Sequence, residues 1–168
     1  MRGQKELYEL FEELSIRFEY HEHPPLATIE DALLYWNDYD SGKCKNIFFR
    51  NHKGDRHYLV ILEHLRQVNI RDLEQGLKQG KLTFASDQRL QKYLGLEPGS
   101  VSPFGLINDK DNHVHLFLDE KLNEYDRLAF HPNVNTATLI ISKADLLKFL
   151  DFSGNSYEFI RLYAQDSE

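Results

Sequence analysis

Residues 45–63 read KNIFFRNHKGDRHYLVILE, and this stretch decides the class of fold. Lys45 to Arg50 and His57 to Glu63 are dense in β-branched and aromatic residues, which suit a pleated, half-buried surface. Between them Asn51-His52-Lys53-Gly54-Asp55 has the composition of a turn, so the stretch is predicted to be a β-hairpin. Before it, Leu7, Leu10, Phe11 and Leu14 recur with helical spacing, and RFEYH (17–21) alternates like a short strand before running into Pro24 and Pro25. Thr28 is a suitable N-cap for a helix from Ile29 to Tyr35, with Asp31 as its approximate capping-box partner, and Asn37 to Gly42 reads as a loop.

After the hairpin, helices are predicted from Asn69 to Gln79 and from Ser86 or Asp87 to Leu94, the second stopped by Gly95. Glu97 to Pro103 carries two prolines and a glycine and reads as an irregular loop. Strands are expected at His113–Leu118, Arg127–Phe130 and Thr136–Ile141, followed by a helix from Lys143 to Leu150 capped by Ser142. Strands and helices mix without regular βα alternation. The expectation is a single α+β domain over residues 1–168, with a central mixed, largely antiparallel sheet surrounded by helices.

The chain has 168 residues, 41% apolar and 28% charged, as ordinary globular domains do. No apolar run approaches the ~18–20 residues of a membrane span, and MRGQKELYELFEEL lacks the apolar stretch of a signal peptide. The one cysteine, Cys44, has no disulfide partner and no zinc-ligand spacing around it. A cytoplasmic protein is expected. The net charge of −7 argues against a broad basic face, so any nucleic acid would be held by a short end through a few local cations.

Phosphate-loop, dinucleotide-binding, zinc-protease and serine-elbow motifs are all absent. His113 and His115 could share a metal from one strand face, but exposed strand residues beside the polar turn 108–112 are the simpler reading. His21 and His23, next to prolines, read as a surface loop. Cys44 is flanked by Lys43 and Lys45, yet strand alternation turns it away from Lys45. Lys45 itself opens a strongly apolar strand, where a cation is costly unless it meets an anion, a polar site or water. In Gly99-Ser100-Val101-Ser102-Pro103, glycine and proline bracket two hydroxyl residues, giving a fixed loop whose backbone could hold an adenosine or a carbonyl oxygen.

Taken in order, Lys45-Asn46-Ile47-Phe48-Phe49, Tyr58-Leu59-Val60, Gly99 to Leu106, Phe130-His131-Pro132-Asn133 and Thr136-Ala137-Thr138-Leu139 resemble the YbaK and prolyl-tRNA editing domain family. The likeness runs from His23-Pro24-Pro25 to about Leu150 and, without synthetase regions, resembles a freestanding editing protein. His23-Pro24-Pro25, Lys45-Asn46 and Ser102-Pro103-Phe104-Gly105 look closest to the branch that clears alanine from proline tRNA. It implies a deacylase with no metal, no cofactor and no covalent intermediate, assisted by the substrate's own ribose hydroxyl.

The resemblance makes Lys45 and Gly99 the catalytic candidates. It places Asn46, Ser100, Val101, Ser102, Pro103, Phe104 and His131 around the substrate. Ile47, Val101 and Phe104 are candidate walls of a sieve that admits alanine and excludes proline. The implied partner is the acceptor end of misacylated proline tRNA, with prolyl-tRNA synthetase or an elongation factor as further candidates, and no DNA or membrane. Rival readings are removal of cysteine or another small amino acid, a non-catalytic module holding tRNA ends or a synthetase, and a metal hydrolase on His113 and His115.

Overall fold

A computed structural model describes residues 1–26, 28–36, 40–67 and 69–162. The hairpin forms as expected, and its first strand is longer. Strand β2 is Gly42–Asn51 and β3 is His57–Glu63, antiparallel, with Lys45 opposite Leu62 and Arg50 opposite His57. The turn is held by one side chain, since the Asn51 Oδ1 accepts the N–H groups of Gly54, Asp55 and Arg56 at 2.8–3.1 Å. All seven residues of β3 are buried, because the strand lies inside the sheet with both faces covered.

The remaining strands are β1 (Phe18–Glu22), β4 (Leu82–Phe84), β5 (Val114–Asp119), β6 (Arg127–Phe130), β7 (Ala137–Ser142) and β8 (Tyr157–Ile160). They form one eight-stranded mixed sheet in the order β1-β7-β6-β2-β3-β5-β8, with β4 paired to β2 off this path. Four of its pairings are antiparallel, and β2·β6, β3·β5 and β5·β8 are parallel. The helices are α1 (Lys5–Glu13), α2 (Ile29–Trp36), α3 (Ile70–Leu77), α4 (Asp87–Leu94) and α5 (Lys143–Ser153). The α+β expectation holds.

Alternation along β2 and β3 feeds two cores. Phe48, Leu59 and Ile61 pack with Leu7 and Phe11 of α1, Leu90 and Leu94 of α4, and Leu146 and Phe149 of α5. Phe49, Val60 and Leu62 face the other way onto Leu73 and Leu77 of α3. Local capping signals are realised: Ser86 Oγ accepts from Arg89 N, Ser142 Oγ from Asp145 N, Thr28 Oγ1 from Asp31 N, and Gly95 stops α4 at φ +64°.

Differences lie where signals are short. The Glu97–Pro103 loop runs into a 3-10 turn, Pro103–Asn108, because Ser102 caps it and Pro103 sits where a missing N–H costs nothing. Helix α5 continues to Ser153, and β8 follows it, a strand of four residues that carries no distinct sequence signal. His23 is buried rather than part of a surface loop, for reasons given below. Of the loop expected at Asn37–Gly42, residues 37–39 lie outside the described residues.

Candidate active site

The edge of β2 away from β3 is only partly used. It pairs with β6 at Gly42 and Lys43, and with β4 from Phe49 to Asn51. Between these, no strand among the described residues pairs with this edge at 44–48, and a cavity of about 250 Å³ opens at the gap. The loop bearing Gly99 and Val101, the end of β6 with Ala129, Phe130 and His131, and the segment Leu26, Thr28, Ala32 and Trp36 complete its walls. The volume lies below the ~300–1,000 Å³ of drug-sized ligand sites, so it suits a small group.

Cys44, Lys45 and Asn46 all border this cavity although they are consecutive. Alternation does separate them: Cys44 packs in one core and Ile47, beside Lys45, in the other. The cavity is reached from both faces because it lies at the strand's edge. The expectation that Cys44 would be turned away from the Lys45 site therefore fails in its consequence, and Asn46, on the same face as Cys44, borders the cavity too. The Asn46 Oδ1 is buried with no hydrogen-bond partner among the described residues, an acceptor that a bound N–H or O–H group would satisfy. Burial, reinforced by the Glu63 and Asp119 carboxylates, pushes the Cys44 thiol far up, so no thiolate is on hand.

The half-buried Lys45 donates one of its three N–H groups to the Arg66 carbonyl. That carbonyl is itself fixed. Arg66 Nε lies 3.1 Å from Asp119 Oδ2, and Asp119, fully buried at 0% exposure, also accepts from Glu63 N and Lys121 N at 3.2 and 3.0 Å. The Glu63 carboxylate in turn accepts from Leu65 N. A buried acidic pair thus braces the turn after β3 and aims the lysine ammonium.

His131 adds a defined polar group. Its Nδ1 is 2.9 Å from the Ala137 carbonyl, which can only accept, so Nδ1 carries the proton and Nε2 keeps its lone pair. Burial lowers its pKa against the opposing pull of that carbonyl, with His23 a further lowering influence, and the ring is neutral near pH 7.

Of the Gly99–Pro103 loop, Gly99 and Val101 reach the cavity. Ser100, Ser102, Pro103 and Phe104 are buried and are not among its lining residues. Ser102 Oγ accepts from Phe104 N at 3.1 Å, and Phe104 packs edge-on against Phe11, Phe130 and Phe149. These residues hold the loop from behind. Val101 alone of the three sieve candidates borders the cavity, since Phe104 lies in the core and Ile47 packs on the α3 side. Gly99 has φ +85°, with nothing nearer than 3.5 Å to an added Cβ, so the constraint is backbone conformation rather than space. Gly99→Ala is expected to cost about 1–2 kcal/mol of backbone strain and to lower turnover in a variant that still unfolds cooperatively; unchanged turnover would mean the loop's path is irrelevant.

His113 and His115 bond to different partners. His115 bonds Ser156 Oγ, while His113 Nε2 lies 2.8 Å from His57 Nδ1. Among the described residues, no group of three or more His, Cys, Asp or Glu could hold a metal ion. Arg89 approaches His57 Nε2 at 3.0 Å and can only donate, so the His57 proton is on Nδ1 and points to His113. Burial, then His113 and the cations Arg89, Lys92 and Arg50, lower the His57 pKa from 6.5 to about 4.

Because this pKa falls on folding, the unfolded chain takes up the proton first on acidification. The stabilising contribution is complete above pH 6.5 and is lost between there and pH 4. The urea midpoint is expected to fall across that window, and less steeply in His57→Gln; equal slopes would exclude His57 as the cause.

The comparisons agree with this geometry. Residues 23–149 match the model of the aminoacyl-tRNA editing domain, and the chain belongs to that family. Like its members, it is an aminoacyl-tRNA deacylase. It is 38% identical over 151 residues to the prolyl-tRNA editing protein ProX of Acetoanaerobium sticklandii, covering 90% of this chain and 92% of that one. It is 33% identical over 146 residues to the mouse (Mus musculus) prolyl-tRNA synthetase associated domain-containing protein 1, covering 84% and 86%. A solved structure of a candidate trans-editing enzyme for prolyl tRNA synthetase shares the fold at TM-score 0.67 and 18% identity, over 95% of this chain and 99% of that one. No helix among the described residues is long and apolar enough to cross a membrane.

The segment 26–36 was not among the sequence candidates. Leu26, Ala32 and Trp36 read as ordinary apolar positions and Thr28 as a helix cap, and only the three-dimensional gap beside β2 gives them a site to close. Trp36, the one tryptophan of the chain, was the available signal.

Proposed function

We propose that the protein hydrolyses the ester of alanine mischarged on proline tRNA, acting in trans on the acceptor end. The observation that carries this reading is Lys45, held at the bare edge of β2 over a small, mostly apolar cavity. The similarity to ProX supports the proline system. In this reading the Lys45 ammonium meets a phosphate or ribose oxygen of the terminal adenosine with the N–H groups not taken by the Arg66 carbonyl. Asn46 Oδ1 accepts from a ribose hydroxyl or the α-amino group, and His131 Nε2 offers a second acceptor. The backbone at Gly99 to Val101 contacts the ester carbonyl, where charge develops as water adds.

None of the described side chains at the cavity has the partners of an activated nucleophile: the thiol is protonated and buried, and His131 is tied through Nδ1 to a carbonyl rather than a carboxylate. Attack by water, helped by the free hydroxyl of the terminal ribose, fits such a site. In this reading the acyl side chain lies among Val101, Ala129, Ala32 and Trp36, which would form the sieve that admits a methyl group and excludes a proline ring. Prolyl-tRNA synthetase is a natural partner, in keeping with the mouse relative's name. Ala- and Cys-charged proline tRNA should be compared at equal concentration. Preferential loss of alanine supports the proposal, whereas preferential loss of cysteine keeps the site and moves the substrate.

A further inference from the structure

Thr138 lies on β7, fully buried and outside the cavity. Its Oγ1 is 2.9 Å from Trp36 Nε1 and 2.7 Å from His23 Nε2. An indole N–H can only donate, so the hydroxyl accepts from Trp36. His23 Nδ1 lies 2.9 Å from the Pro24 carbonyl, which can only accept, so the His23 proton is on Nδ1 and Nε2 takes the Thr138 O–H. The chain Trp36 to Thr138 to His23 to the Pro24 carbonyl is closed, with one donor for every acceptor. That is why His23 can be buried.

The consequence reaches the site. His23 and Trp36 bracket the segment that supplies Leu26, Thr28, Ala32 and Trp36 to the cavity wall. Both rings also bear on His131, with centroids 5.9 and 5.8 Å from its own. His131 is anchored to Ala137, the residue before Thr138. Two neighbouring positions at the start of β7 therefore locate three rings from two separate parts of the chain.

We infer that Thr138 is a positioning residue for substrate selection: its single hydroxyl sets the separation of the 23–36 segment from His131 and so the width of the acyl pocket. This rests on the deacylase reading. Thr138→Val keeps the shape but removes both bonds, leaving Trp36 Nε1–H and His23 Nε2 unpartnered in a buried place. The wall can then widen, and a larger acyl group gains entry.

The test measures hydrolysis of Ala- and Pro-charged proline tRNA by the whole chain and by Thr138→Val and Thr138→Ser. In Thr138→Val the preference for the alanyl over the prolyl ester is expected to fall by about tenfold, mainly through KM for Ala-tRNA and kcat for Pro-tRNA, with Thr138→Ser restoring it. The single tryptophan gives an independent readout, because its indole N–H is one resolved signal in a nitrogen–proton spectrum. That signal is expected to shift and exchange faster with solvent in Thr138→Val, and to stay near its original position in Thr138→Ser.

If Thr138→Val does not fold, Trp36→Phe, which removes the same N–H, is expected to lose the same preference. An active protein whose Thr138→Val variant keeps its preference, or keeps its indole signal unmoved, overturns this inference alone. If Thr138→Val does not fold, an unchanged preference in Trp36→Phe does the same. Absence of hydrolysis by the unaltered chain overturns the deacylase reading and this inference with it.

Discussion

Lys45→Ala is expected to slow deacylation of Ala-tRNA(Pro) by about 10²–10³-fold and to leave the protein folded. The side chain is half-buried at a strand edge, so truncation leaves no sealed core void. Arg66 is partly exposed, so water can take the place of the donor its carbonyl loses. What disappears is the one lysine or arginine among the described residues that line the site, aimed by a carbonyl that Asp119 holds through Arg66. Lys45→Arg should rescue little, since a planar fork cannot take the place of a compact ammonium beside that carbonyl. Turnover under single-turnover conditions, with thermal unfolding alongside, separates loss of chemistry from loss of fold. Normal turnover in a folded Lys45→Ala protein would remove the lysine from the mechanism.

Asp119→Ala is the change expected to harm stability most. The carboxylate is fully buried and takes the Arg66 guanidinium and the N–H groups of Glu63 and Lys121. Removing it strips a largely buried cation of this partner and leaves two N–H groups without their acceptor. Breaking a buried pair from one side costs about 3–5 kcal/mol, a large part of the ~5–15 kcal/mol that holds an ordinary domain together. Turnover should fall as well, because the Arg66 carbonyl that orients Lys45 loses its brace. Asp119→Asn, which keeps the shape and one acceptor oxygen, should lose less. Urea unfolding decides it: a cost under about 1 kcal/mol would place the pair among weak surface bridges and undo this account of the lysine.

Much of this was legible in the sequence because the signals are local. The β2–β3 hairpin declares itself through two apolar runs around a polar turn holding Asn51, Gly54 and Asp55, and Ser86, Gly95 and Ser142 mark helix ends within a few residues of their effect. The family was legible from spaced motifs, and the matched span of 23–149 is close to the one inferred. What could not be read depends on contacts between distant segments. Strand β8 exists because β5 offers an open edge to four unremarkable residues. The Lys45–Arg66–Asp119 brace joins residues far apart in the chain, and His23 looks exposed until Thr138 satisfies it. Cys44 shows the same limit from the other side: alternation gave its direction correctly, but not the gap in strand pairing that makes both faces of β2 meet one cavity.

The most direct test of the central claim is a deacylation time course on proline tRNA charged with alanine and, separately, with proline. Rapid loss of alanine with proline retained is the expected result. Persistence of both esters over the uncatalysed rate would contradict it.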